Sequence, residues 1–326
     1  MRYIISSAIA TLATTLPALA EVPRVVTDIH PVHSLVAQVM GDLGTPELLL
    51  SQGASEHDFQ LRPSQAADLA EADFVVWIGP ELTPWLDRAL DGLGEGSARL
   101  ALLQAPGTET REFSKDGAHG AEGDHDHGHE EAAEDADHDH AEAGHDDHGH
   151  SHDGIDPHAW LDPANAETWL NAISAELSRL DPQNAATYTA NAAAAAAEIK
   201  ALDAEIAATL APLQGQPIVV YHDAYGYFAA HYGLEIFGSI ALGDATAPGA
   251  ARLADLRDSV AADTSLCLFP EAQHDPALVQ QLAEGTGARV GGALDPNGST
   301  VEPGPAAYAT LLRNLAQTMV ACAQAS

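Results

Sequence analysis

The chain predicts an α/β protein of two four-stranded parallel-sheet, Rossmann-like lobes joined by a long rigid α-helix. Three features predict it. Four short apolar runs alternate with helical sequence in the first half, and the same alternation returns after residue 215. Between the halves lies helical sequence almost without glycine from Pro163 to Gly215. Alternation of this kind builds parallel sheets covered by helices.

In chain order, the first residues read as an export signal. Arg2 supplies a positive start, Ile4 to Leu16 an apolar stretch diluted with Ser and Thr, and Ala18-Leu19-Ala20 a small-residue cleavage site. The stretch is too short for a membrane anchor. Cleavage after Ala20 would leave a mature chain starting at Glu21, with no cysteine there to carry a lipid.

The first lobe, residues 21–181, takes strands from Arg24–Ile29, Glu47–Leu50, Phe74–Ile78 and Leu100–Leu103. Its helices come from Val32–Met40, Ser64–Ala70 and Pro84–Leu90, where apolar residues recur at helical spacing. Pro63 and Pro84 fall where a first helical turn tolerates proline. Two connecting helices follow, each announced by an Asp-Pro pair, Asp162-Pro163 and Asp181-Pro182. The second, Pro182–Leu210 within a linker of 182–212, carries the alanine run Ala192–Ala197 and would reach about 40 Å. The second lobe, 213–326, takes strands from Ile218–Tyr221, Leu234–Ile240, Leu266–Phe269 and Arg289–Leu294. Its helices are Tyr225–Tyr232, Ala250–Ala261, Pro276–Glu284 and Tyr308–Cys322.

One segment, about 114–154, holds no residue large enough to build a core and is expected to be disordered. Ten of the seventeen histidines lie there. His125, His127, His129, His138, His140, His145, His148, His150 and His152 alternate with Asp, Glu and Gly in tight clusters. Imidazole and carboxylate together bind borderline metals such as Zn²⁺. A flexible tract must be ordered to do so, which makes each site weak. It reads as an accessory reservoir.

The net charge of −35 excludes nucleic acid as a partner, since nothing here neutralises phosphates. Residues 116–153 carry 14 carboxylates and no Lys or Arg, so about −21 remains elsewhere. Two cysteines, Cys267 and Cys322, in an exported chain predict one disulfide.

Seven histidines stand outside the tract, and three occupy informative places. His57 follows the second strand and His222 ends the fifth, so each lies beyond a strand's carboxyl end, where open α/β sheets gather ligands. His158 leads into the connecting helices, and Asp295 follows the last strand. Singly, each is more readily a hydrogen-bonded structural residue than a ligand. His30 and His33, which open the first helix, stay in reserve, while His274 reads as a lone structural histidine. His231 reads as a surface or packing residue. A zinc hydrolase is disfavoured: there is no His-Glu-x-x-His, and Glu130 after His129 lacks the second histidine.

Together the motifs resemble the cluster A-I solute-binding proteins that serve zinc and manganese ABC importers. The resemblance rests on Gly53–Ser64 (Gly-Ala-Ser-Glu-His-Asp-Phe-Gln-Leu-Arg-Pro-Ser), Ala72–Pro80, the His-rich insert, Asp156–Leu161, Tyr221–Tyr225 and Leu294–Gly298. It spans the mature chain and is nearest the zinc-specific periplasmic branch. It implies metal held in the cleft between two lobes, with His57, His158 and His222 as zinc ligands. Manganese-preferring relatives commonly place a carboxylate where His222 stands. The resemblance leaves Glu56, Asp295 or water as the fourth ligand, with Glu56 slightly favoured and Asp295 open as an acceptor orienting an imidazole. It also implies Zn²⁺ as cargo, a membrane permease as partner, a monomer, no catalysis, and the pairing of Cys267 with Cys322.

Overall fold

A computed structural model describes residues 22–50, 52–54, 59–94, 96–113, 154–241, 248–262 and 266–324. Glu56, His57 and all ten histidines of the 114–153 tract lie outside the described residues.

The first sheet holds β1 (Val25–Thr27), β2 (Glu47–Leu48), β3 (Phe74–Trp77) and β4 (Ala98–Ala101), all parallel, in the order β2-β1-β3-β4. The second repeats the plan with β5 (Ile218–Val220), β6 (Ile236–Ser239), β7 (Cys267–Leu268) and β8 (Arg289–Val290), in the order β6-β5-β7-β8. Both expected lobes are therefore present. Strand order reverses beside β1 in one sheet and beside β5 in the other. A crevice opens beyond the strand ends at such a switch.

The helices are α1 (His30–Met40), α2 (Pro63–Ala70), α3 (Pro84–Leu93), α4 (Pro163–Leu180), α5 (Ala185–Leu210), α6 (Gly226–Tyr232), α7 (Ala250–Ala262), α8 (Ala277–Ala283) and α9 (Ala307–Gln324). Local chemistry explains several boundaries. Gln65 closes the start of α2: its Oε1 accepts from the Arg62 amide at 2.9 Å. Asp162 caps α4 by accepting from the Ala164 amide at 2.9 Å, with Pro163 supplying the first turn.

Side-chain alternation along the central strands sorts two kinds of core. Val26 and Val75 point to the outer side with Leu69, Leu86 and Leu90 of α2 and α3. In the second lobe Val219 and Leu268 do the same with Leu256, Val260, Val279 and Leu282 of α7 and α8. Val25, Val76, Ile218 and Val220 face inward into one continuous core shared by both lobes. Into it α5 sends Tyr188, Ala192, Ala195, Ile199, Leu202, Ile206 and Leu210, spaced three or four apart so that one stripe is buried. With 26 residues α5 runs about 39 Å, and α1, α4 and α9 pack against it. A helix buried along its length in a common core cannot swing freely.

Several expected boundaries move, and three of the shifts have a visible cause. α5 begins at Ala185 rather than Pro182, because Asp181 turns inward and its Oδ2 accepts from Tyr188 Oη at 3.0 Å and Asn184 Nδ2 at 2.6 Å. β4 ends at Ala101, in register with Trp77, and Leu102 and Leu103 bury themselves in a 3₁₀ turn. β8 pairs only at Arg289–Val290. A Cβ on Gly291 would sit 2.4 Å from Phe269 and 3.2 Å from Cys322 Cβ, so the chain passes there only as glycine. Cys322 of α9 is bonded to Cys267 of β7, as expected. No helix among the described residues is long and apolar enough to cross a membrane.

Candidate metal centre

His222 leaves the second sheet just beyond β5, and Glu271 leaves it beyond β7, the neighbouring strand across the switch. Glu271 is fixed there by a lone parallel bridge to Leu294. His222 Nδ1 lies 2.6 Å from Glu271 Oε2, and Tyr225 Oη donates to Glu271 Oε1 at 3.0 Å. All three side chains are buried.

His158 reaches the same point from the other side. It precedes the 3₁₀ turn Ala159–Leu161 that feeds α4. Its Nδ1 lies 2.7 Å from Asp156 Oδ1, which also accepts from the His158 amide at 2.9 Å. His158 and Asp156 are each 2 % exposed. In both imidazoles a carboxylate accepts a hydrogen bond from Nδ1–H, which fixes the tautomer and leaves the Nε2 lone pair facing outward. The two Nε2 atoms face each other at 3.4 Å, with ring centroids 5.2 Å apart and planes inclined by 61°. Facing lone pairs demand a proton or a cation between them.

The separation matches a particular cation geometry. Two nitrogens about 2.0–2.1 Å from one zinc at a tetrahedral angle stand roughly 3.3 Å apart. Among the described residues no third His, Cys, Asp or Glu joins this pair in a metal-holding group. Glu56 and His57 lie outside the described residues; ahead of them in the chain, Gly53 donates its amide to the Ser299 carbonyl at 3.2 Å.

Asp295 organises the loop that carries Ser299. Its Oδ1 accepts from the Ser299 amide at 3.0 Å and hydroxyl at 3.2 Å, and its Oδ2 from the Thr300 amide at 2.8 Å and hydroxyl at 2.6 Å. The same loop accepts Trp160 Nε1 on the Pro296 carbonyl at 2.8 Å, and the Trp160 ring lies 5.1 Å from that of His158.

The remaining histidines separate by environment. His274 stacks on Tyr221 at 4.1 Å, near Glu271. His33 Nε2 meets the Pro46 carbonyl at 3.1 Å, and burial lowers its pKa. His30 is buried with neither ring nitrogen hydrogen-bonded; desolvation lowers its pKa against the pull of Asp295. His231 is more than the surface or packing residue expected: its two nitrogens meet Asp162 at 2.9 Å and Asp203 at 2.8 Å.

Asp156 and Glu271 are the site residues that sequence reasoning missed. Asp156 lay inside a quoted motif without a role, and Glu271 satisfies the strand-end criterion that singled out His222.

The comparisons agree with this architecture. The family model described as zinc-uptake complex component A, periplasmic, matches residues 25–322. The high-affinity zinc uptake system protein ZnuA of Paracoccus denitrificans is 52 % identical over 98 % of this chain and 97 % of its own. The proteins of that name from Brucella abortus and Yersinia pestis are 40 % and 35 % identical, each over 91 % of this chain and 91 % and 90 % of their own. A crystal structure of ZnuA superimposes with a TM-score of 0.71, covering 93 % of this chain and all of that one, at 24 % identity. A Pseudomonas aeruginosa binding protein in complex with Mn²⁺, FpvC, superimposes at 0.72 with 22 % identity, covering 93 % of this chain and 99 % of that one, so the fold alone does not choose a metal. On the family match and these full-length identities, this chain belongs to the ZnuA family of periplasmic zinc-uptake components.

Proposed function

We propose that this protein captures Zn²⁺ between its lobes and hands it to the permease of an ABC importer. His57, His158 and His222 supply three imidazoles, and Glu56 beside His57 supplies the fourth donor. The observation that carries the reading is the pair of buried Nε2 atoms at 3.4 Å, each imidazole oriented by its own carboxylate.

Asp295 serves better as a loop organiser than as a ligand. Both its oxygens already accept amide and hydroxyl protons, and its loop holds Gly53, ahead of Glu56 and His57 in the chain. With a carboxylate from Glu56 in the fourth position no open site remains for an activated water, which favours transport over hydrolysis. Three neutral imidazoles favour Zn²⁺ over the harder Mn²⁺. The His-rich tract, including His125, His127, His129, His138, His140, His145, His148, His150 and His152, gathers metal weakly as an accessory reservoir. The chain is exported by a signal cleaved after Ala20 and works in the periplasm as a monomer. Protonated imidazole cannot coordinate, so acid releases the ion.

Chelator competition on the mature protein tests the reading. His158→Ala is expected to remove one tight zinc and leave the fold intact; retention of that zinc would overturn the assignment.

A further inference from the structure

Helix α6 carries no proposed ligand, yet it grips the His158 segment at both ends. At one end Tyr227 Oη donates to the Asp156 carbonyl and accepts from the Arg111 amide, both at 2.8 Å. At the other, His231 Nδ1 meets Asp162 Oδ1 at 2.9 Å. Between these grips the backbone is wound tight: the Leu161 amide donates to His158 and the Asp162 amide to Ala159. α6 starts at Gly226, a short turn beyond His222. One helix is thus continuous with one imidazole and clamps the segment that bears the other.

His231 has a second hold. Its Nε2 meets Asp203 Oδ1 of α5 at 2.8 Å. An imidazole with a carboxylate at each nitrogen must donate from both, and is therefore an imidazolium. The hydrogen bond to Asp162, then that to Asp203, raises its pKa to about 9 against the opposing effect of burial. The other titratable groups packed around this cluster are Tyr232 of α6, edge-on to His231 at 4.7 Å, Tyr308 of α9, and Glu167 of α4. Burial raises both tyrosines, so they stay neutral.

Resting on the metal-centre reading above, we propose that His231 is a positioning residue: by bridging Asp162 and Asp203 it fixes His158 against His222, and so sets the affinity and geometry of the metal without touching it. Removing it should loosen the 3.4 Å approach of the two Nε2 atoms.

The test compares His231→Ala and His231→Gln in the full chain with wild type, His158→Ala and Arg313→Ala. The last breaks only the exposed Arg313–Glu205 pair linking α9 to α5. Zinc affinity is read by chelator competition, and geometry by the visible absorption of the protein with one equivalent of Co²⁺. The His231 variants are expected to lose at least ~10-fold in zinc affinity, as residues that orient ligands do, and to shift the cobalt bands. Arg313→Ala should do neither. Wild-type affinity and an unchanged cobalt spectrum in both His231 variants would overturn the proposal. So would weaker binding with an unchanged cobalt spectrum, which marks a purely structural residue. If His158→Ala loses tight zinc while the His231 variants keep it, this proposal alone fails; if His158→Ala keeps it, the metal-centre reading fails and takes the proposal with it.

Discussion

Glu271 Oε2 lies 2.6 Å from His222 Nδ1, and the two residues leave the second sheet from adjacent strands, β7 and β5. The contact spans 49 residues of sequence and is buried on both sides. It places a negative charge behind the imidazole, which raises the ring's basicity toward a metal and holds its proton on Nδ1. Asp156 does the same for His158 from a neighbouring position in sequence. Protein carboxylates thus orient both imidazoles.

Replacing Glu271 with Gln keeps the shape and removes the charge. Zinc affinity should fall by roughly 10- to 100-fold while the fold persists. Chelator competition beside a thermal melt measures both. An unchanged affinity would mean that Glu271 does not orient His222.

The pH dependence of stability reports the His231 bridge. The ordinary imidazole value of 6.5 is raised to about 9 in the fold, first by Asp162 and then by Asp203. A raised value means the protonated form is favoured by folding. The contribution is therefore complete below pH 6.5 and is lost as pH climbs through about 9. In urea titrations of the metal-free protein, the gap between wild type and His231→Gln should close over that window. A constant gap would contradict the charged bridge.

The Cys267–Cys322 bond closes a separation of 55 residues, tying α9 to the second sheet. On the chain-entropy account its loss costs up to about 4 kcal/mol. A Cys267→Ser/Cys322→Ser double variant should unfold at lower urea yet keep its zinc affinity, because the sulfurs bond each other between β7 and α9, whereas the imidazoles are oriented by Asp156 and Glu271. Loss of zinc binding in the folded variant would contradict that separation of roles.

Metal competition checks the donor set. Three imidazoles and one carboxylate should hold Zn²⁺ against a large excess of Mn²⁺. Displacement of bound zinc by comparable manganese would contradict the donors assigned.

Much of this was legible in the chain, for physical reasons that differ by element. The strands of both lobes are short apolar runs bounded by turns, and periodicity marks the helices. Boundaries failed where a side chain acted at a distance: Asp181 reads as a helix cap beside Pro182, but folds back to Tyr188 and delays α5 to Ala185. His158 and His222 were visible because they lie at the ends of regular elements. Glu271 obeyed the same rule and was passed over, since no motif drew attention to it. The bridge from His231 to Asp162 and Asp203 joins three successive helices through residues far apart in sequence, and no local pattern encodes such a meeting.

The central claim is one tight zinc held by imidazoles from both lobes. The most direct measurement is zinc stoichiometry and affinity by chelator competition on the mature protein and on His222→Ala, each with and without residues 116–153. Deleting the tract should leave one tight zinc, and His222→Ala should remove it in either background. If deleting the tract abolishes tight binding while His222→Ala changes nothing, the interlobe centre is wrong and the protein is a His-rich metal buffer.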